Sequence, residues 1–349
     1  MTPVTISTSI RSRIARAAWV ARCGFAAILF LAIGIALAQQ GTPVRSAGEG
    51  SATRSARLWG VASSREFSNV NRDDARAALR VWFNIVARRR GFVLDSRMDI
   101  VDSTKEIRER LLSHSADLVM LSVPEYLELE SSRLLVPVLT HAQGLQGGPL
   151  RSNVLLVKAS SGATSIAALR GKNVLTFSRN GANSAMAWLD LLLSKERLGR
   201  AASFFASIKL SDKPQTCILP VFFGARDACV VDEVDLSLAK EMNPQLGQLR
   251  ELARSRPMVE SVIATPVDPH PYRKELIDSI LSLHEDPGGR QILMVFKTER
   301  LVALQPGDLD SAREFWRDYY GLPGSPPVRV LPGAAAVSAS RPDREKERY

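Results

Sequence analysis

Short apolar runs alternate with amphipathic segments between residues 57 and 322, and this alternation constrains the fold more than any other feature of the chain. The run at 57–62 (RLWGVA) has the length and composition of a strand, whereas apolar side chains recur at helical spacing over residues 73–90. Strands that alternate with helices are typical of α/β folds, because crossover helices pack on the sheet that their strands form. The sequence therefore predicts an α/β fold with mostly parallel sheets.

The first 38 residues have the form of a secretory signal peptide. Four arginines lie between residues 11 and 22, an uncharged apolar stretch follows over 24–38, and the stretch closes on Ala36-Leu37-Ala38. We expect cleavage after Ala38 and export to a bacterial periplasm. An uncleaved anchor is the alternative, but about 15 apolar residues are fewer than the ~20 that a membrane-spanning helix needs.

Composition separates two further segments from the folded part. Residues 39–56 are rich in small and polar residues without apolar periodicity, and residues 323–349 are rich in proline, glycine, alanine and serine. We expect a flexible leader and a disordered tail. The chain carries 46 Lys+Arg against 36 Asp+Glu, but only three of the ten excess positive charges fall within residues 57–322. Nucleic-acid binding is therefore not indicated, and it would also conflict with export.

An ordered set of motifs resembles the phosphate/phosphonate-type solute-binding proteins of ABC transporters, a branch of the bilobal periplasmic binding proteins of type 2. The resemblance covers residues 57–322. It rests on LWGV at 58–61, ADLVMLSVPEY at 116–126, NVLLVK at 153–158, ALRGK at 168–172, the polar segment 178–185, GARDACVVD at 224–232 and DPGGRQIL at 286–293.

This resemblance implies two α/β lobes joined by two crossing hinge strands, at 153–158 and 258–265. Lobe one would comprise residues 57–150 and 262–322, and lobe two with the hinge strands residues 151–261. A small anionic or zwitterionic ligand, of the phosphonate or phosphate kind or related to it, would bind in the cleft between the lobes. The implied function is delivery to the membrane permease of an ABC-type importer by hinge closure, without enzymatic activity. A periplasmic sensing module and, less favoured, an enzyme on the same fold are the alternatives.

Candidate ligand contacts follow from where strands end and helices begin. The segment 178–185 leads small polar residues into a helix, so free backbone N–H groups and the helix dipole could bind an anion at Asn183 and Ser184, with Arg179 as a further donor. An ordinary N-cap by Asn183 and a solvated Arg179 are the alternative. The segment also departs from the family's usual hydroxyl-rich stretch, so a tetrahedral ligand does not follow from it.

The remaining candidates lie at other chain turns. Ser122 and Tyr126 would face the cleft from lobe one, although a turn hydroxyl and a core aromatic are equally good interpretations. In the family, a carboxylate that contacts a ligand amine often stands where this chain has Asp232, which could instead cap a helix. Lys213, Arg151 and Ser63 complete the set, with ordinary surface or turn positions as the alternative.

Other kinds of site are not indicated. Cys217 and Cys229 are the only cysteines after the signal peptide, and in an oxidising compartment they could form a disulfide or remain two buried thiols. The four histidines show no motif of a nucleophile or metal site, so we expect no catalytic residue, metal or cofactor. The expected partners are a small molecule and a membrane permease or sensor, with the protein a monomer.

Overall fold

The computed structural model describes residues 54–67, 71–89, 92–142, 147–178, 183–268, 271–295 and 298–325. The predicted signal peptide, the leader up to residue 53, Arg179 and the tail from residue 326 lie outside the described residues. The last three residues assigned to the leader by composition belong to the first strand, which begins at Arg54. Within the described residues, no helix combines the length and apolarity that crossing a membrane requires.

The described residues form eleven strands and ten α-helices. The strands are β1 Arg54–Ser63, β2 Phe92–Val101, β3 Leu118–Ser122, β4 Leu135–Ala142, β5 Asn153–Lys158, β6 Asn173–Thr176, β7 Ser207–Leu210, β8 Ala228–Asp232, β9 Leu249–Arg254, β10 Ser261–Pro266 and β11 Arg300–Ala303. The helices are α1 Arg72–Arg89, α2 Thr104–Leu112, α3 Val123–Glu130, α4 Ser184–Lys195, α5 Ala201–Phe204, α6 Pro214–Phe222, α7 Glu233–Met242, α8 Arg273–Leu281, α9 Pro287–Val295 and α10 Asp310–Tyr320.

Two mixed sheets organise these elements. The first has six strands in the order β11-β4-β10-β3-β1-β2, and the second has five in the order β7-β6-β8-β5-β9. In the first sheet β1 runs parallel to β2 and β3, while β10 runs antiparallel to β3 and β4. In the second sheet β6 runs parallel to β7 and β8, while β5 runs antiparallel to β8 and β9. The α/β fold class predicted from the sequence is confirmed.

Each sheet is covered by helices on both faces. On the first sheet, α1, α8 and α9 bury side chains against one face, and α2, α3 and α10 against the other. On the second sheet, α4 and α5 cover one face, and α6 and α7 the other. Strands buried on both faces read as continuous apolar runs, and all of β3 is buried for this reason.

The chain passes twice between the two sheets, before β5 and after β9. At this crossing Arg151 and Met258 pair through two backbone hydrogen bonds of 2.9 Å. The crossing lies beside the ends of β1, β3 and β8, where side chains from both sheets meet.

Candidate functional site

The carboxyl ends of two neighbouring strands place hydroxyl groups at one edge of the first sheet. β1 ends at Ser63 and its parallel neighbour β3 ends at Ser122, while the antiparallel β10 begins with Ser261 opposite Ser122. All three serines are buried. Open α/β sheets place their ligands outside the carboxyl ends of their strands, so this edge is where a site is expected.

Glu125 accepts hydrogen bonds from two of the serines at that edge. Its Oε1 accepts a hydrogen bond of 2.6 Å from Ser63 Oγ, and its Oε2 accepts from Ser122 Oγ at 2.7 Å and Ser122 N–H at 3.1 Å. The Nε of Arg65 lies 3.4 Å from Glu125 Oε1, and the Arg65 side chain is 53% exposed. Ser122 is therefore the N-cap residue of α3 and forms a capping box with Glu125. The carboxylate of Glu125 is held in place by donors from two strands.

Glu66 adds a second carboxylate beside the first. It lies in a short 3-10 helix, Ser64–Phe67, that follows β1 directly. Its Oε1 is inaccessible to solvent and has no hydrogen-bond partner among the described residues. Burial first, and then the charges of Glu125 and Glu260, raise the pKa of Glu66 well above its ordinary value, although a hydrogen bond with Ser261 opposes this.

Glu260 brings a third carboxylate and connects the two sheets. It precedes β10 on the first sheet, and its backbone carbonyl accepts a hydrogen bond of 2.9 Å from Val123 N–H. Its Oε1 accepts a hydrogen bond of 2.6 Å from Ser184 Oγ, at the first residue of α4 on the second sheet. We refer to Glu66, Glu125 and Glu260 as the carboxylate cluster, which lies where the two halves of the molecule face each other.

The start of α4 has an unusual N-cap. Asn183 is exposed, adopts the left-handed conformation with φ 58° and ψ 40°, and makes no side-chain capping bond. Its carbonyl accepts the first helical bonds, from Met186 and Ala187 at 3.1 and 3.2 Å. The amide side chain of Asn183 is thus not used for capping, in contrast to the alternative that the sequence left open. Arg179, the expected neighbouring donor, lies outside the described residues.

Tyr126 belongs to the apolar core beneath this edge. It is buried among the side chains of α2, α3 and α10, and its hydroxyl donates a hydrogen bond of 3.2 Å to Glu130 Oε1. Burial, followed by the charge of Glu130, raises its pKa to about 12. The structure therefore gives Tyr126 the core position that was the alternative to a ligand contact.

Arg151 and Asp232, two predicted ligand contacts, pair with each other at the crossing. Arg151 Nη1 lies 3.2 Å from Asp232 Oδ2, and both side chains are at least nine-tenths buried. Asp232 Oδ1 also accepts from Val234 N–H at 2.7 Å, which caps α7. The charges of Arg151 and Asp232 are therefore neutralised by each other within the protein. The positive charge of Arg151 also acts on His141, whose pKa is lowered to about 4 by burial first and then by this charge.

Lys213 lies at the N-terminus of α6, on the second sheet. It is the exposed N-cap residue of α6, where its carbonyl accepts a hydrogen bond of 2.9 Å from Thr216 Oγ1. In the part of the chain that the structure describes, no hydrogen bond or ion pair joins Lys213 to the carboxylate cluster.

Cys217 of α6 and Cys229 of β8 are joined by a disulfide bond, with their Cα atoms 5.7 Å apart. Both cysteines are completely buried in the core of the second sheet. The disulfide ties a helix to the central strand that ends at Asp232.

The carboxylates themselves were missed from the sequence. Glu125 could have been found from the spacing Ser122-x-x-Glu125, since Ser-x-x-Glu before a helix is the pattern of a capping box. Glu66 and Glu260 carry no such local signal, because their meeting depends on the pairing of β1, β3 and β10. Among the described residues, no group of three or more His, Cys, Asp or Glu side chains is placed to hold a metal ion.

Comparison with known families gives one match, which covers more than half of the chain. The family is described as the periplasmic substrate-binding protein of phosphonate ABC transporters, and its model matches residues 67–309. No curated protein matches the chain.

Solved structures show the same fold at low sequence identity. A Xanthomonas citri protein, solved with bound chloride and with bound ATP, is 17% identical, with a TM-score of 0.52 over 76% of this chain and 96% of its own. A binding protein component of an ABC phosphonate transporter from Pseudomonas aeruginosa is 11% identical, with a TM-score of 0.50 over 76% of this chain and 87% of its own. At these identities the likeness concerns the fold alone.

Proposed function

Because the chain belongs to the phosphonate-type periplasmic substrate-binding proteins of ABC transporters, we propose that it captures a small anionic or zwitterionic solute between its two sheets. Members of this family capture solutes for importers. The family match over residues 67–309 is the observation that carries the proposal. The charge of the ligand and the residues that bind it are the parts that need an experiment.

The contacts that support a cleft site come from both sheets. Ser63 and Ser122 belong to the first sheet, and Glu125 lies on α3 beside them. Ser184, at the start of α4 on the second sheet, donates a hydrogen bond of 2.6 Å to Glu260. Hinge closure on a ligand requires groups on both sides of the cleft, since binding energy must favour the closed state over the open one. We place the ligand against these residues and the exposed side chain of Asn183, with Arg179 as a further donor.

Arg151, Asp232, Tyr126 and Lys213 have weaker support as ligand contacts. Arg151 and Asp232 already form a buried pair, Tyr126 is a core residue, and Lys213 is an exposed residue at the N-terminus of α6. A ligand would have to displace an existing contact at Arg151 or Asp232, which costs the desolvation of a buried charge.

A thermal-shift panel on the chain from Gln39 onward tests the function. Phosphate, phosphonates, sulfonates, carboxylates and amines are each added in excess, and a ligand specific to the folded state must raise the melting temperature. We expect at least one class to do so, and to be recovered chemically unchanged after incubation, as capture without catalysis requires. If no class shifts the transition, the proposed ligand range is wrong.

We further propose that the exported protein starts at Gln39 and is a monomer. The basic and apolar form of residues 1–38 supports cleavage after Ala38. The intact mass of protein recovered from a periplasmic extract should correspond to residues 39–349, and light scattering should give the mass of one chain. A mass that includes residues 1–38 would instead indicate a retained anchor.

A further inference from the structure

A pocket with a volume of about 260 Å³ lies outside the candidate cleft site. It is lined by α4 on the second sheet, by α10 on the first sheet and by the returning crossing segment between Arg254 and Met258. Its lining residues on α4 run from Trp188 to Lys195, and Lys195 stands about 16 Å along the helix axis from Ser184 at the helix start. None of the described residues assigned to the cleft site lines this pocket.

The floor of the pocket is apolar. Trp188 is 6% exposed and belongs to the core of the second sheet, and Met258 of the crossing segment is 1% exposed. Leu192 and Phe315 are partly buried against the same core as Trp188. Small-molecule sites are lined mainly by apolar and aromatic side chains with few polar groups, and drug-sized ligands occupy about 300–1,000 Å³. A slightly smaller pocket of this composition suits a small molecule with an apolar body.

The rim of the pocket is charged, and most of its charges have partners within the protein. Arg256 Nη1 lies 3.1 Å from Glu314 Oε2, and Arg254 pairs with two glutamates. The second acid of the rim, Asp318, has its Oδ1 3.6 Å from Arg317 Nε. A cationic ligand would therefore have to compete with an arginine for either acid of the rim.

Lys195 is the exception among the charges of the rim. It is an exposed residue in the last turn of α4, and its side chain lines the pocket. Among the described residues, no hydrogen bond or ion pair engages its ammonium group. An unpaired cation beside an apolar floor complements an anion with an apolar body, because the anion gains a charge-assisted hydrogen bond while its body leaves water.

We propose that this pocket is a second binding site, which takes a small carboxylate with an aromatic or aliphatic body. The carboxylate pairs with Lys195, and the body lies against Trp188 and Phe315. The inference goes beyond the proposed function and does not depend on which solute the cleft captures, since the two sites share no residue.

Matched probes that share a body and differ in charge test the inference. Suitable pairs are phenylacetate and phenylacetamide, and hexanoate and hexanamide, titrated at pH 7 into the chain from Gln39 onward. We expect at least one carboxylate to bind in calorimetry, and to bind at least about fivefold more tightly than its amide. Tryptophan emission should change in the same titration, because Trp188 lines the pocket. If neither carboxylate binds, or if the amides bind equally well, the inference is wrong, while the panel for the cleft decides the proposed function separately.

A lysine variant and its matched control locate the bound carboxylate. Lys195→Gln should weaken its binding at least about fivefold, to the level of the amide. Lys240→Gln, which removes a lysine from the last turn of α7, should leave the affinity unchanged. Both lysines lie in the last turn of a helix, so the control matches the local setting of the variant. Equal affinities for the two variants would place the carboxylate elsewhere, the cleft included, and would overturn the inference.

Two other occupants of the pocket would give different results. The apolar stretch 328–331 follows Ser325 closely, and Ser325 Oγ donates to the carbonyl of Tyr319 on α10 at 2.6 Å. Leu331→Asp should leave the affinity for phenylacetate unchanged, whereas tighter binding to this variant would show that the chain's own tail fills the pocket. A dimer in light scattering that phenylacetate dissociates would assign the pocket to a second copy of the chain. Either result would overturn the inference.

Discussion

Gly60 illustrates how one residue sets the distance between a helix and the first sheet. A Cβ built on Gly60 would lie 2.8 Å from Phe83 Cζ of α1 and would also collide with Met98 Sδ of β2. Both neighbours are completely or almost completely buried, so neither can move into solvent. The close approach of α1 to β1 therefore requires a glycine at this position.

Gly60→Ala should lower the free energy of unfolding by about 1–3 kcal/mol, the range for overpacking a well-filled core. Urea denaturation followed by circular dichroism measures the change. Gly247→Ala is the matched control, because nothing lies within 4 Å of its added Cβ, and it should shift stability by less than about 0.5 kcal/mol. Equal losses in the two variants would mean that the packing of Phe83 does not require the glycine.

We expect the replacement of Asp232 to lower the free energy of unfolding, whatever its effect on ligand binding. Its partner Arg151 is buried at the crossing, so Asp232→Ala leaves an unpaired charge there and should cost about 3–5 kcal/mol. Asp278→Ala breaks an exposed pair with Lys274 on α8 and should cost less than about 1 kcal/mol. Comparable denaturation midpoints for both variants would show that the Arg151–Asp232 pair contributes little.

The residues of the candidate site differ in how far sequence could identify them. Ser63, Ser122 and Ser184 were predicted from strand ends and a helix start, and the structure brings them to the carboxylate cluster. Their role in ligand binding stays a prediction. Glu66 and Glu260 could not be identified, because the residues beside them come from distant segments of the chain and are brought there only by strand pairing.

At the scale of elements, long periodic segments and continuous apolar runs were predictable, and short mixed strands were not. β5 has the same bounds, Asn153–Lys158, as the apolar run read from the sequence. The sequence analysis missed β7, β9 and β11, because each is short or carries several charged side chains. These segments form strands because they pair with a neighbouring strand of a sheet. The helical spacing over residues 73–90 corresponds to α1, which spans Arg72–Arg89. Edge strands of this kind have tertiary rather than local causes.

The disulfide between α6 and β8 gives a prediction at this scale. Cys229 follows Cys217 by 12 positions, and a disulfide that closes a loop of this length stabilises the folded state by about 2–4 kcal/mol. Reduction should lower the urea midpoint of the natural chain from Gln39 onward, but not that of the Cys217→Ala/Cys229→Ala variant. Alkylation of the unfolded chain should label two thiols after reduction and none before it. Labelling without reduction would contradict the bond.

At the scale of the whole molecule, α10 connects the two halves. Phe315 packs against the core of the first sheet and also against the core under α4 of the second. Glu314 adds a bond of 3.1 Å to Arg256, which lies in the returning crossing segment. Ala187 of α4 likewise contributes to the core of the first sheet. The two sheets therefore share apolar contacts as well as their crossing segments.

This shared packing predicts a single unfolding transition without ligand. In calorimetry, the van't Hoff and calorimetric enthalpies should agree, because neither half can unfold without exposing the apolar surface that it shares with the other. Phe315→Ala, which removes a half-buried ring, should lower the melting temperature by about 2–6 °C, given ~1–3 kcal/mol for its lost packing and ~2 °C per kcal/mol at this chain length. Phe223→Ala, which removes a ring that is 71% exposed, should change it little. Two separate transitions in the natural chain would show that the halves fold independently and that α10 does not couple them.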